Sequence, residues 1–140
     1  MITVFTPTYN RSHTLRRLYE SLKSQTYKDF EWLIVDDGST DSTKDLVETF
    51  RYENIVNIQY FYVNNGGKHR AINFAIQRAR GDLFFIVDSD DYLPSNALET
   101  IWNFWNALQN KELYGGIVFR KYDVVKQELI GPRLDEKEFD

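Results

Sequence analysis

Apolar residues along the chain fall into short continuous runs separated by stretches with helical spacing. "ITVFT" (2–6) is a β-rich run, which Pro7 is expected to end. Beyond Ser12, placed as an N-cap, Leu15, Leu18, Tyr19 and Leu22 recur on one helix face. "EWLIV" (31–35) predicts a second strand, stopped by "DDGSTD", and "DLVETF" (45–50) the middle of a second helix. "NIQYFYV" (57–63) predicts a third strand, ended by "NNGG". Ile72, Ala75, Ile76 and Ala79 mark a third helix, with Gly81 where a C′ residue would stand. "LFFIV" (83–87) is a fourth strand, followed by "DSDD" and by a helical stripe of Leu98, Ile101, Trp102, Trp105 and Leu108. That Trp-bearing stripe reads as core. "GGIVFRKYDV" (115–124) reads as a further strand, and "LIGPRLDEKEFD" (129–140) as a loop or frayed end.

Strands alternating with helices imply an α/β fold, a mostly parallel Rossmann-like sheet with helices on both faces. Strands covered on both faces should be near-continuously apolar, and these are. No internal repeat divides the sequence, so residues 1–140 are expected to form a single domain. Ligands of an open parallel sheet bind beyond the carboxyl ends of its strands. Each of the first four strands is followed by a polar cluster: "PTYNR", "DDGSTD", "NNGGKHR" and "DSDD". A parallel sheet brings all four to one edge.

Charge and composition narrow the chemistry. Seventeen basic against 21 acidic residues give a net charge of −4, which argues against nucleic acid as a main partner. There is no Cys, so thiolate catalysis and Cys-based zinc sites are excluded, and only two His, at 13 and 69, argue against a His-rich metal site. No apolar run reaches the length of a membrane span, and the first ten residues lack the pattern of a signal peptide. The expected setting is cytoplasmic, with peripheral contact at the inner face of a membrane left open.

The clusters themselves suggest roles. Asp88 and Asp90, two apart, point the same way in extended chain, and a divalent cation would offset their repulsion; alternatively Asp90 or Asp91 caps the helix starting near Pro94 or Ser95. In "DDGSTD", Gly38 permits an unusual backbone angle and Ser39, Thr40 or Asp41 can cap the next helix. That leaves Asp36 and Asp37 at a strand end, where a carboxylate can accept hydrogen bonds from a base or ribose. "PTYNR" offers Thr8 and Asn10 for polar contacts and Tyr9 for stacking. "NNGGKHR" sets glycines beside Lys68 and Arg70 ahead of a helix N-terminus, which suits a diphosphate, although it is not a P-loop. His69 reads as a surface or packing residue.

Together "VFTPTYNR", "SLKSQTYKDFEWLIVDDGSTD", "NNGGKHRAINFAIQRARGDLFFIVDSDD" and the following "YLP" resemble the nucleotide-binding part of inverting glycosyltransferases of family 2, which have the GT-A fold. The resemblance covers roughly residues 2–110. It implies that Thr6, Pro7, Thr8 and Tyr9 line the nucleoside and that Asp37, with Asp36, hydrogen-bonds the base. It further places Gly67 and Lys68 by the nucleotide, Asp88 near the ribose, and Asp90 on a Mn2+ or Mg2+ that bridges the diphosphate. The implied activity is inverting, metal-dependent transfer of a sugar from a nucleotide diphosphate sugar, UDP-sugar favoured, to a hydroxyl of a carbohydrate or lipid-linked acceptor, as in cell-surface polysaccharide synthesis. The chain departs from the family in carrying Ala71-Ile72-Asn73 where many members have Ala-Arg-Asn, so Arg70 is not given the role of that arginine. Family members also continue into an acceptor-binding half with a carboxylate general base. Asp123, Asp135 and Glu136 are available acids, but none matches that base, so the chain is expected to be a truncated piece of a larger enzyme. A non-catalytic nucleotide-binding fragment and a nucleotidyltransferase are the alternatives; the second lacks its usual Gly-rich, basic loop after the first strand.

Overall fold

A computed structural model describes residues 1–130, in two compact units divided after Asn106. In the first, β1 (Ile2–Thr8), β2 (Phe30–Asp36), β3 (Ile58–Tyr62) and β4 (Leu83–Ile86) form one sheet in the order β3–β2–β1–β4. All three pairings are parallel, with Ile2 opposite both Phe30 and Leu83, and Trp32 opposite Ile58. Four helices accompany the strands: α1 (Ser12–Lys23), α2 (Thr43–Glu53), α3 (Lys68–Ile76) and α4 (Ala97–Ala107).

Strand alternation divides the core between the two faces. Ile2, Val4, Trp32 and Ile34 meet Leu15, Leu18, Tyr19 and Leu22 of α1, Val47 and Phe50 of α2, and Leu98 and Ile101 of α4. Phe5, Leu33 and Val35 point the other way, onto Ala71 and Ala75 of α3. The path explains the division. From β1 the chain steps to β2 and β3 in one direction, then crosses back over the sheet to β4. Right-handed crossovers in opposite directions put α1 and α2 on one face and α3 on the other. The Trp-bearing stripe is core at Leu98, Ile101 and Trp102: the first two are buried in the first cluster and Trp102 packs against it, with its ring 5.4 Å from Tyr27. At the centre, Tyr19 stacks on Phe50 at 4.0 Å and the Trp32 indole N–H donates to Thr6 Oγ1 at 2.9 Å. Each such large apolar side chain stabilises the fold by about 1.5–3 kcal/mol.

Several boundaries differ from the sequence reading, for identifiable reasons. β1 runs through Pro7 to Thr8 rather than ending before the proline. Phe5 accepts from Val87 N–H and Thr8 accepts from Asp37 N–H, so by alternation Pro7 faces β4, whose pairing with β1 stops at Phe5. Pro7 N stands where the next bond to β4 would be donated, so the missing N–H ends that ladder without touching the bonds to β2. Arg11, not Ser12, is at the N-cap of α1, and its own side chain makes no capping bond. α3 ends at Ile76, so Gly81 is not its C′ residue. Gly81 instead passes against β1: a Cβ there would lie 2.4 Å from Thr3 N. Its N–H donates to Thr3 Oγ1, which in turn donates to the fully buried carboxylate of Glu31 at 2.7 Å. The Arg80 N–H and Gln59 side chain also donate to Glu31, so its burial is compensated.

In the second unit, a 3-10 turn at Lys111–Leu113 precedes a two-stranded antiparallel hairpin, β5 (Tyr122–Asp123) and β6 (Glu128–Leu129). The strand expected over 115–124 is thus reduced to Tyr122–Asp123. Its β-rich composition lacks a ladder partner over 115–120 among the described residues, and Val118 is 75% exposed.

Candidate nucleotide-binding site

The loops that follow the four parallel strands are tied to one another by carboxylates and one asparagine. Asp36, the last residue of β2, shares the face of Trp32 and Ile34 and is fully buried. One oxygen accepts from Ser39 N–H at 2.8 Å and the other from Tyr60 Oη at 2.6 Å. Burial first, and then this bond to a carboxylate, push the Tyr60 phenol well above its ordinary range, so it stays a donor. Asp37, one residue on, turns the opposite way. Its two oxygens accept from the N–H groups of Gly66 and Gly67, both at 2.8 Å, which fastens the β3–α3 loop to β2. Gly67 has φ +89°, a conformation that side chains rarely adopt.

A second set of bonds joins the loops after β1 and β2. Asn10, at φ +52°, accepts from the N–H groups of Thr40 and Asp41 at 2.8 and 3.2 Å. Asp41 accepts from Thr43 N–H and Oγ1 at the start of α2, and from Ser12 N–H and Oγ at the start of α1. One carboxylate thereby serves two helix N-termini, the capping that Ser12 and Ser42 do not supply from their own positions. Burial would raise the Asp41 carboxyl, but the bonds from Thr43 and Ser12 outweigh it and hold it at about 2.

Between these loops lies a cleft of about 350 Å³, lined by Pro7, Thr8, Tyr9, Arg11, Asp37, Lys68, Asp88, Ser89 and Asp90. Thr8 is only 3% exposed, and its Oγ1 has no hydrogen-bond partner among the described residues. A buried hydroxyl left unsatisfied is costly unless something enters to bond it. Tyr9 stands 48% exposed at the mouth. The Lys68 ammonium pairs with the Asp88 carboxylate across the cleft. Asp88–Asp91 is a turn closed by Asp91 N–H to Asp88 O at 3.0 Å, so Asp88 and Asp90 are not in the extended spacing expected of them. Both nevertheless line the cleft. Arg17 holds this turn from α1, donating to Asp90 O at 2.6 Å with its guanidinium 4.8 Å over the Tyr92 ring.

Of the residues expected at the site, Pro7, Thr8, Tyr9, Asp37, Lys68, Asp88 and Asp90 come together on the lining, whereas Thr6, Asp36 and Gly67 do not. Thr6 is buried beneath Trp32, Asp36 braces the turn behind, and Gly67 gives its N–H to Asp37. His69 is exposed, as expected of a surface residue. Gln25 Oε1 accepts from Leu98 N–H in the first turn of α4. Arg11 and Ser89 are additions to the site. Both lay inside clusters already marked, and Arg11's signal was its place between a strand end and a helix start. Asp123 accepts from Val125 and Lys126 N–H in the hairpin, while Asp135 and Glu136 fall outside the described residues. Among the described residues, no three His, Cys, Asp or Glu side chains converge as a self-sufficient metal site. Asp88 and Asp90 do supply two hard-oxygen donors on one cleft, the kind of partial set that Mg2+ or Mn2+ accepts when waters and phosphate oxygens complete the shell. No helix among the described residues is long and apolar enough to cross a membrane.

The parallel sheet and its helices are those of a GT-A domain. The crystal structure of residues 1–349 of Staphylococcus aureus TarS in complex with UDP-GlcNAc superposes with a TM-score of 0.70, at 35% identity, over 75% of this chain and 31% of that one. A mannosyltransferase from Pyrobaculum calidifontis, in complex with GDP-Man and Mn2+, gives a TM-score of 0.63 at 29% identity over 66% of this chain and 28% of that one. The family model for glycosyl transferase family 2 matches residues 3–137, and the chain belongs to that family. Among curated relatives, a poly(ribitol-phosphate) beta-glucosyltransferase of Bacillus spizizenii is 40% identical over 107 residues, 74% of this chain and 17% of its own length. An uncharacterised glycosyltransferase of Rickettsia typhi is 32% identical over 128 residues, 91% of this chain and 38% of its own length. The chain thus spans well under half the length of the relatives it matches.

Proposed function

We propose that the chain is the donor-binding part of a glycosyltransferase that takes a nucleotide diphosphate sugar, with a UDP-sugar preferred, and passes the sugar with inversion to an acceptor hydroxyl. The observation that carries this reading is the meeting of Asp37, Asp88 and Asp90 with an unsatisfied Thr8 hydroxyl on one cleft. Asp37 spends one lone pair of each oxygen on the glycine loop and retains others for a base N–H. The exposed Tyr9 ring offers a stacking surface, and Thr8 Oγ1 a hydrogen bond. Asp88 and Asp90 would hold Mn2+ or Mg2+, which supplies charge neutralisation at the diphosphate as the nucleotide leaves. Lys68 and the α3 N-terminus favour the same anion. The named relatives support a carbohydrate or polyol-phosphate acceptor. The general base belongs to the acceptor half of the reaction, and no described residue is given that role.

Thermal denaturation with UDP, GDP and their sugars, with and without Mn2+, tests the proposal. A ligand at a hundred times its Kd adds about 2.7 kcal/mol, on the order of 10 °C in Tm for a domain of this size. UDP with Mn2+ should produce such a rise, and Asp90→Asn should remove its metal-dependent part. No rise with any nucleotide under any cation would overturn the reading.

A further inference from the structure

Lys68 sits where its ammonium neutralises one of the two carboxylates that a cation would need. We propose that Lys68 is a placeholder cation: it occupies Asp88 in the nucleotide-free cleft and must leave when a divalent ion arrives, which couples ion binding to nucleotide binding. The inference rests on the reading above. Lys68 is the first residue of α3, and the two residues before it are pinned by Asp37. The base of its side chain is therefore fixed, and the ammonium moves by changing rotamer along its flexible stem rather than by moving the loop. Its side chain is 54% exposed, so that motion is open to it.

Charge explains why the two ligands would depend on each other. The cleft carries the carboxylates of Asp37, Asp88 and Asp90 against the cations of Arg11 and Lys68, one negative charge in excess. That excess attracts a free divalent ion only weakly, and an ion on Asp88 would face the ammonium at close range. A diphosphate changes the balance. It brings negative charge to the helix N-terminus beside Lys68, giving the ammonium a second partner and drawing it off Asp88. Nucleotide then tightens ion binding and, by reciprocity, the ion tightens nucleotide binding by the same factor. Lys68 is in this sense a positioning residue, acting through Asp88.

Mn2+ binding followed by the electron paramagnetic resonance of the free ion, with and without UDP, tests this on the wild-type chain and on Lys68→Met and Lys68→Arg. Wild type should bind Mn2+ weakly alone and more tightly with UDP. Lys68→Met should bind Mn2+ alone about fivefold more tightly, the factor equivalent to the roughly 1 kcal/mol of a partly exposed ion pair, and should gain less from UDP. Lys68→Arg, which keeps the charge, should behave as wild type. If wild type binds UDP with Mn2+ but Lys68→Met shows no tighter nucleotide-free Mn2+ binding, the placeholder idea fails and the donor-site reading survives. Absence of UDP binding by wild type under any cation ends both.

Discussion

Asp37→Asn separates the two duties of the rim carboxylates. The substitution keeps the shape of the side chain and its one remaining carbonyl can still accept from Gly66 or Gly67. The other glycine N–H then faces an NH2 group, and two donors cannot pair. The site is 7% exposed, so water does not readily repair the loss. A charge-assisted bond contributes about 1.5–3 kcal/mol, and an orphaned buried N–H costs about 1–3 kcal/mol, largely the same energy counted from two sides. The expected destabilisation is therefore about 2–3 kcal/mol, read as a fall in the urea midpoint at unchanged m-value. UDP affinity, measured calorimetrically under conditions where the variant is folded, should drop at least tenfold, because the β3–α3 loop and the base acceptor are lost together. Asp36→Asn is the internal comparison. It takes the charge from the bonds to Ser39 and Tyr60, but its carbonyl still accepts from Ser39 N–H and the Tyr60 hydroxyl can turn to accept from the new NH2, and Asp36 does not line the cleft. It should cost less stability than Asp37→Asn, and the folded protein should retain most of its UDP affinity. An unchanged urea midpoint in Asp37→Asn, or an equal loss of UDP affinity in both variants, would refute the division of labour.

Two further outcomes follow from the scaffold. Gly81→Ala forces a methyl group against Thr3 backbone, so it should lose about 1–3 kcal/mol in chemical denaturation without altering UDP affinity of the folded form; a neutral result would show that the approach relaxes freely. Asp41 has a folded pKa of about 2 against an ordinary 3.8, so its stabilisation is present above about pH 4 and is lost as pH falls towards 2. Unfolding free energy should consequently fall more steeply over that window in wild type than in Asp41→Asn; parallel curves would contradict the double-capping role.

Most of the first unit was legible because its signals are local. Continuous apolar runs at β1 to β4 and the period of α1 and α4 need only neighbouring residues to be recognised, and parallel pairing then brings the polar clusters to one rim. What could not be seen was set by the third dimension or by parity. Ile2, Val4 and Thr6 share a strand face, as do Trp32, Ile34 and Asp36, and following that alternation outward would have buried Thr6 and Asp36 before any ligand was considered. Gly81 looked like a helix terminator because its reason for being glycine lies in Thr3, 78 positions away in the chain. Residues 115–124 read as a strand on composition, yet β-propensity describes how a residue fits a sheet, and most of this segment has none to join among the described residues. The turn at Asp88–Asp91 changed the spacing of its carboxylates without moving them off the cleft, so the pattern survived although the geometry behind it did not.

The proline in β1 has a consequence for how this chain could come to have an opening at all. Two adjacent strands of like direction ordinarily continue to zip until one of them turns away. Here the central strand goes on, still bonded to β2, while its side towards β4 has run out of donors. β4 is thus released three residues early and can bend into its acidic turn. A missing hydrogen atom, rather than any side chain reaching for substrate, parts the seam into which a nucleotide could slide.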